Sequence, residues 1–219
     1  MTGPRSSSLR PAKDRAGDAL LSPAVLPKRP FSAYIFDFDG TLADTEDLNL
    51  SAVQSALALY GADVTIGWLA AEPFTSSFRL RERLAAEQRI TVDFSEQELV
   101  DAARNFWLGH TNQVRPVAMA SEIVKRLAGR APIAIASDND GLIIRAGLAA
   151  IGLDQVITSV IAREDVPRLK PAPDSFIAAA RLLNVCPEHC LAYENTDHGL
   201  IAASAAGMRV IDVRTGWGL

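Results

Sequence analysis

Two aspartates stand two residues apart in Phe36-Asp37-Phe38-Asp39-Gly40-Thr41-Leu42, at the end of an apolar run that begins at Tyr34. Carboxylates can attack a phosphoryl group, carry a proton or hold a hard cation, and a pair in one small space can divide those tasks. If the run is a buried strand, alternation would point the two acids the same way, and Gly40 would let the backbone leave the strand sharply. They stay ionised together only with a cation or a cationic side chain between them, which argues for a metal. Asp-Gly flanked by apolar residues also reads as a hairpin turn.

Three other places bear on that choice. Ser137 follows the apolar run 132–136 and precedes a helical pattern, where a hydroxyl and free backbone amides can hold a phosphate. An N-cap for that helix is the alternative. Asp138 and Asn139, next in the chain, join Ser137 as candidate substrate contacts. Lys170 lies in Leu169-Lys170-Pro171-Ala172-Pro173, whose prolines limit where its ammonium can go. Glu194 and Asn195 follow the apolar 191–193 and add the hard oxygen donors that Mg²⁺ prefers. One cation, one hydroxyl and several oxygen donors at four strand ends make a phosphoryl-transfer site.

Such a site needs a scaffold. Runs of strand length lie at 34–38, 132–136, 156–161, 191–193 and 210–213, and helical periodicity at 121–127, 142–151, 175–183 and 200–206. Their alternation predicts an α/β fold, a Rossmann-like parallel sheet covered on both faces. Between 47 and 117 the rhythm breaks into helical patterns at 48–59, 77–88 and 96–107, with Ser95 and Glu98 spaced as a capping box. The chain therefore reads as a discontinuous core, 31–46 and 118–219, with a helical cap, 47–117, inserted after the first strand. The cap would sit over the carboxyl end of the sheet, where open α/β sheets bind ligands.

In this order, Asp37-Phe38-Asp39-Gly40-Thr41-Leu42-Ala43-Asp44-Thr45, Ser137, Lys170-Pro171-Ala172-Pro173-Asp174 and Glu194-Asn195-Thr196 resemble the four motifs of the haloacid dehalogenase superfamily. The similarity covers 31–219 and points to the branch of β-phosphoglucomutases and small sugar-phosphate phosphatases, with bacterial fructose-1-phosphatase-like proteins the closest group. It implies an Mg²⁺-dependent cytoplasmic phosphatase acting on a small phosphorylated metabolite. By the resemblance, Asp37 would be the nucleophile that forms an aspartyl phosphate, and Asp39 the acid and then the base. Ser137 and Lys170 would hold the transferring group, and Asp37, Asp39, Glu194 and Asn195 the metal.

Two departures matter. The family usually has Glu-Asp where this chain has Glu194-Asn195, and an amide supplies no negative charge, so weaker metal binding is expected. Asn49 stands where much of the branch carries His, which favours hydrolysis over a phosphosugar mutase. In the cap segment 74–79, Ser77 and Arg79 are candidate substrate contacts, with a solvated helix surface as the other reading of Arg79. Asp197 reads as a solvated loop carboxylate. A catalytically weak binding or regulatory protein is a third reading, kept alive by Asn195.

Bulk properties agree with one catalytic unit. A chain of 219 residues, 48% apolar and 22% charged, can bury a core and carry a smaller module. A net charge of −4 gives no field to gather nucleic acid or an anionic membrane, and no run reaches the roughly 18 apolar residues of a membrane-spanning helix. Residues 1–30, rich in Pro and Ser, read as a disordered tail without a secretory signal. Cys186 and Cys190 read as reduced cytosolic thiols rather than a metal loop.

Overall fold

Strand alternation and residue size together set the layers of this protein. The structure, a computed structural model, describes residues 31–71 and 77–217; the expected tail at 1–30 lies outside them. The chain runs β1 (Ala33–Phe36), β2 (Ala43–Asp44), α1 (Glu46–Leu59), α2 (Ile66–Ala70), α3 (Ser77–Arg83), α4 (Glu96–Gly109), β3 (Arg115–Pro116) and α5 (Ala118–Leu127). It continues β4 (Ile133–Ala136), α6 (Gly141–Ala150), β5 (Ser159–Ile161), α7 (Asp174–Leu182), β6 (Cys190–Glu194), α8 (Asp197–Ala205) and β7 (Arg209–Asp212).

Five strands form one sheet in the order β5-β4-β1-β6-β7, every neighbouring pair parallel. Tyr34, Phe36, Ile133, Ile135, Leu191 and Tyr193 face α5 and α6, and the Phe36 and Tyr193 rings stack at 4.6 Å. The alternate residues, Ala33, Ile35, Ala134, Ala136, Cys190 and Ala192, face α7 and α8. Large side chains on one face and mostly small ones on the other explain why α7 and α8 meet the sheet through Ala179, Ala180, Ala202 and Ala203. The strand order reverses between β1 and β6, so their carboxyl ends flank the crevice where such sheets take ligands.

The helices between β2 and β3 pack around a cluster of their own, including Leu57, Leu69, Leu80, Leu84, Phe94 and Leu99. The expected helix over 77–88 is α3 followed by a π-helical turn, Leu84–Gln88. The capping box forms: the Ser95 Oγ accepts from the Glu98 N–H at 3.2 Å and the Ser95 N–H donates to the Glu98 carboxylate at 2.8 Å. Helix α2 was not expected, since five residues are too few to show a period. Strand β5 begins later than expected because the Val156 N–H closes a turn onto the Leu153 carbonyl. Outgoing β2 pairs antiparallel with returning β3, and the Val117 N–H donates to the Leu42 carbonyl at 3.0 Å, so the two connecting strands are zipped together.

Candidate active site

Asp37 comes directly after β1, and its N–H donates to the Tyr193 carbonyl of β6 at 3.0 Å. That bond fixes it beside Glu194, the last residue of β6. Lys170, from the loop before α7, puts its Nζ 2.6 Å from Asp37 Oδ1 and 2.6 Å from Glu194 Oε1. The three side chains are 5% or less (Lys170, Glu194) and 8% (Asp37) exposed. The other Glu194 oxygen accepts from Thr196 N–H at 2.6 Å and Thr196 Oγ1 at 3.0 Å. Gly199 of α8 lies against this carboxylate, and any Cβ there would collide with it.

Burial pushes the Asp37 carboxyl up, Lys170 pulls it down, and the charges of Glu194 and Asp39 push it up again, to about 7. For Lys170 burial works against the ammonium, but Asp37 and Glu194 outweigh it and hold the group charged, above its ordinary range. Asp138 is raised chiefly by burial, against the pull of Lys170. Its carboxylate accepts the Lys170 N–H at 3.0 and 3.3 Å, which ties down the lysine loop.

Both aspartates open onto the same space, but strand alternation is not what puts them there. Strand β1 ends at Phe36, and at Gly40 the backbone has φ of +73°, so strand alternation does not extend to Asp39. Asp39 Oδ1 accepts from Thr45 Oγ1 at 2.6 Å and Asn49 Nδ2 at 2.8 Å, while Asn139 Nδ2 reaches both oxygens at 3.2 and 3.0 Å. Asn49 is itself held by Trp107 Nε1, 2.9 Å from its Oδ1. The position where the resemblance implied a lost imidazole thus carries an amide that grips Asp39 directly.

Ser137 comes directly after β4, but it is not the N-cap of α6. Its Oγ accepts the Asn139 N–H at 3.1 Å, whereas Asp140 Oδ1 caps the helix through the Leu142 N–H at 2.8 Å. Asn195 Oδ1 accepts from Thr41 Oγ1 at 3.1 Å, and its amide lies flush against Gly40. Asp197 is exposed and pairs with Arg214 at 2.8 Å, as a solvated carboxylate should.

Asp37, Asp39, Ser137, Asp138, Asn139, Lys170 and Glu194 all open onto one cavity of about 360 Å³ between the sheet ends and α1 and α4. Arg79 is exposed on α3 and is not among the described residues of its wall; the Ser77 side chain lies outside the described residues. Instead α1 contributes Asn49, Ala52 and Val53, and α4 contributes Val100, Ala103, Arg104 and Trp107. Their spacings of three, four and seven residues mark one helix face each, a signal present in the sequence but divided between two helices. Arg163 also lines the cavity and had no sequence signal at all.

For a divalent cation the donor chemistry fits. Asp37 and Glu194 are buried carboxylates converging on one point, and Asn195 follows with an amide oxygen. Among the described residues no group of three or more His, Cys, Asp or Glu is arranged to hold a metal ion. Four carboxylates, Asp37, Asp39, Asp138 and Glu194, line the space around Lys170, a charge deficit that a dication would offset. The Asp39 carboxylate is turned to its three neutral donors instead.

Residues 34–213 match the haloacid dehalogenase-like hydrolase family. The chain belongs to that family. Among curated members, it is 32% identical over 186 residues to the fructose-1-phosphate phosphatase YqaB of Escherichia coli, covering 84% of this chain and 97% of that protein. It is 29% identical over 186 residues to hexitol phosphatase A of the same organism, covering 82% of each. Its fold matches that of CbbY from Rhodobacter sphaeroides, solved in complex with phosphate, with a TM-score of 0.74 and 23% identity over 83% of this chain and 85% of that one. Haloacid dehalogenase-like phosphatases generally use Mg²⁺. Among the described residues, no helix is long and apolar enough to cross a membrane.

Proposed function

We propose that this protein is a phosphoric monoester hydrolase that acts on a small sugar phosphate through an aspartyl phosphate on Asp37. The observation that carries this reading is the buried Asp37–Lys170–Glu194 cluster at the carboxyl ends of β1 and β6. The substrate class rests on the relatives, whose names are those of sugar and hexitol phosphatases.

In the first step an Asp37 oxygen attacks phosphorus, the ester bond breaks, and the leaving alkoxide takes a proton from Asp39. In the second, water attacks the aspartyl phosphate, Asp39 accepts its proton, and inorganic phosphate leaves with Asp37 restored. Thr45, Asn49 and Asn139 hold the Asp39 carboxylate in place for both transfers. Lys170 balances Asp37 and, with the Ser137 hydroxyl, engages the phosphoryl oxygens. Asp37, Glu194 and the Asn195 carbonyl would hold Mg²⁺. When bound, the ion neutralises charge on the transferring group. Residues 47–117 act as the cap over this chemistry, placing the apolar faces of α1 and α4 where they exclude water.

Phosphate release from a panel of sugar phosphates, with Mg²⁺ and with chelator, tests the reading. Stoichiometric, Mg²⁺-dependent phosphate that disappears in folded Asp37→Asn is the expected result. Isomerised sugar phosphate without free phosphate would instead make the protein a mutase.

A further inference from the structure

Two arginines enter the cavity wall, and their side chains are in opposite states. Arg104 of α4 is fully engaged: its Nε and Nη2 reach Asp140 Oδ2 at 2.8 and 2.6 Å, and its Nη1 reaches Asp101 at 2.7 Å. Arg163 opens the 3-10 turn Arg163–Asp165 after β5. The main chain sets its position, since its N–H donates to the Asn139 carbonyl at 3.0 Å and Glu164 Oε1 accepts the Gly141 N–H at 3.0 Å. The turn is thereby bound to the loop that carries Ser137 and to the start of α6. Yet the Arg163 side chain, half-buried in the wall, makes no hydrogen bond or ion pair among the described residues.

A second hollow adjoins this cavity. An open depression of about 400 Å³ on the surface shares Val100, Arg104, Asp140 and Arg163 with the cavity and is bounded by the exposed Glu96, Gln97, Leu142 and Glu164. Arg163 therefore stands at the junction, one step beyond the residues that would hold the phosphoryl group.

The Arg163 charge favours the nearby Asp138 carboxylate, but its donors are unspent, and an anionic ligand would use them through paired, charge-assisted hydrogen bonds. Among the described residues no other cation in the wall is available for this, because Lys170 is shared by Asp37 and Glu194 and Arg104 by Asp101 and Asp140. Resting on the phosphatase reading above, we propose that Arg163 is a specificity residue that pairs with a second anionic group, a carboxylate or a second phosphate, at the end of the substrate remote from the transferring phosphoryl group. The acidic surroundings sharpen the selection. Without Arg163, that second anion would face Asp138, Asp140 and Glu164 with no cation of its own.

The test compares matched pairs that differ only in the second charge: fructose 1,6-bisphosphate against fructose 1-phosphate, and phosphoglycolate against ethyl phosphate. The ratio of kcat/KM within each pair is read for the parent protein, Arg163→Ala, Arg163→Lys and Arg145→Ala, the last an exposed arginine on α6 that controls for overall charge. The parent should prefer the doubly anionic member of at least one pair, and Arg163→Ala should cut that ratio by about ten-fold or more, the scale of a charge-assisted hydrogen bond. Arg163→Lys should recover part of it. The pair that responds identifies carboxylate or phosphate. A parent with no preference, an Arg163→Ala ratio within about two-fold of the parent, or an equal fall in Arg145→Ala overturns the proposal. Binding of the same four compounds to Asp37→Asn, with and without Arg163→Ala, followed by the fluorescence of cavity-lining Trp107, separates the two readings. Selective loss of binding without turnover in the parent would keep Arg163 and sink the hydrolase.

Discussion

Lys170 is where the site's charges are reconciled. An ammonium buried between two carboxylates is tolerable because both partners sit at 2.6 Å; removing Lys170 would strand both acids in the core at a cost of about 3–5 kcal/mol, whereas removing either acid leaves the ammonium paired with the other. Glu194 can accept this because Thr196 satisfies its second oxygen from the same chain turn. Asn195 is the residue at which the balance is adjustable. Its Oδ1 already accepts from Thr41, so Asn195→Asp keeps that bond and adds a negative charge beside Asp37 and Glu194. Asn195→Asp should lower the Mg²⁺ concentration for half-maximal activity, and Mg²⁺ titrated by calorimetry against the inactive Asp37→Asn, Asn195→Asp double variant should bind more tightly than to Asp37→Asn alone. An unchanged binding isotherm would remove Asn195 from the ligand set.

At the scale of elements, the close approach of α8 to β6 is the feature most exposed to a single change. Gly199 leaves room for the Glu194 carboxylate, so Gly199→Ala must move either the helix or the acid. Thermal or urea unfolding should show a loss of about 1–3 kcal/mol, and activity measured well below the transition should fall too, because the shifted carboxylate no longer meets Lys170. Stability lost with full activity retained would show that the helix, not the acid, gives way. This constraint was invisible in GLIAASAAGM, where glycine reads only as a weak helix residue. The strands themselves were legible, since buried parallel strands are short continuous apolar runs and their ends announced Asp37, Ser137 and Glu194, whereas Lys170 lies in the loop between β5 and α7 and was marked by its prolines. The donors that hold Asp39 were not, because the strand stops one residue before Asp37 and period-two reasoning has no force in a loop. Asp138 was counted as a substrate contact from its place beside Ser137, and only the three-dimensional approach of the lysine loop shows its carboxylate engaged by the Lys170 N–H. Pairing of β2 with β3 joins two-residue segments 71 and 73 positions apart, Asp44 with Arg115 and Ala43 with Pro116, too short to show any pattern.

Across the whole molecule, the helical insertion and the sheet meet at two kinds of contact near the cavity. One is apolar, where Leu48, Ala52 and Trp107 join the core cluster of the sheet rather than that of the other helices. The other is the Arg104–Asp140 ion pair, which ties α4 to the first turn of α6 beside the loop that carries Ser137, Asp138 and Asn139. Asp140 has two duties there, and they can be separated: Asp140→Asn keeps a good N-cap and gives up the charge, while Arg104→Ala gives up the guanidinium. With side chains 22% and 12% exposed, the pair is sheltered enough to matter and wet enough to open. If it fixes how the helices sit over the site, each single variant should raise KM several-fold with little change in melting temperature. The double variant should be no worse than either single one, since a broken pair cannot be broken twice. Effects that simply multiply would mean that Arg104 and Asp140 act separately, Arg104 on the substrate and Asp140 on the helix, and that the cap is held by its apolar contacts alone.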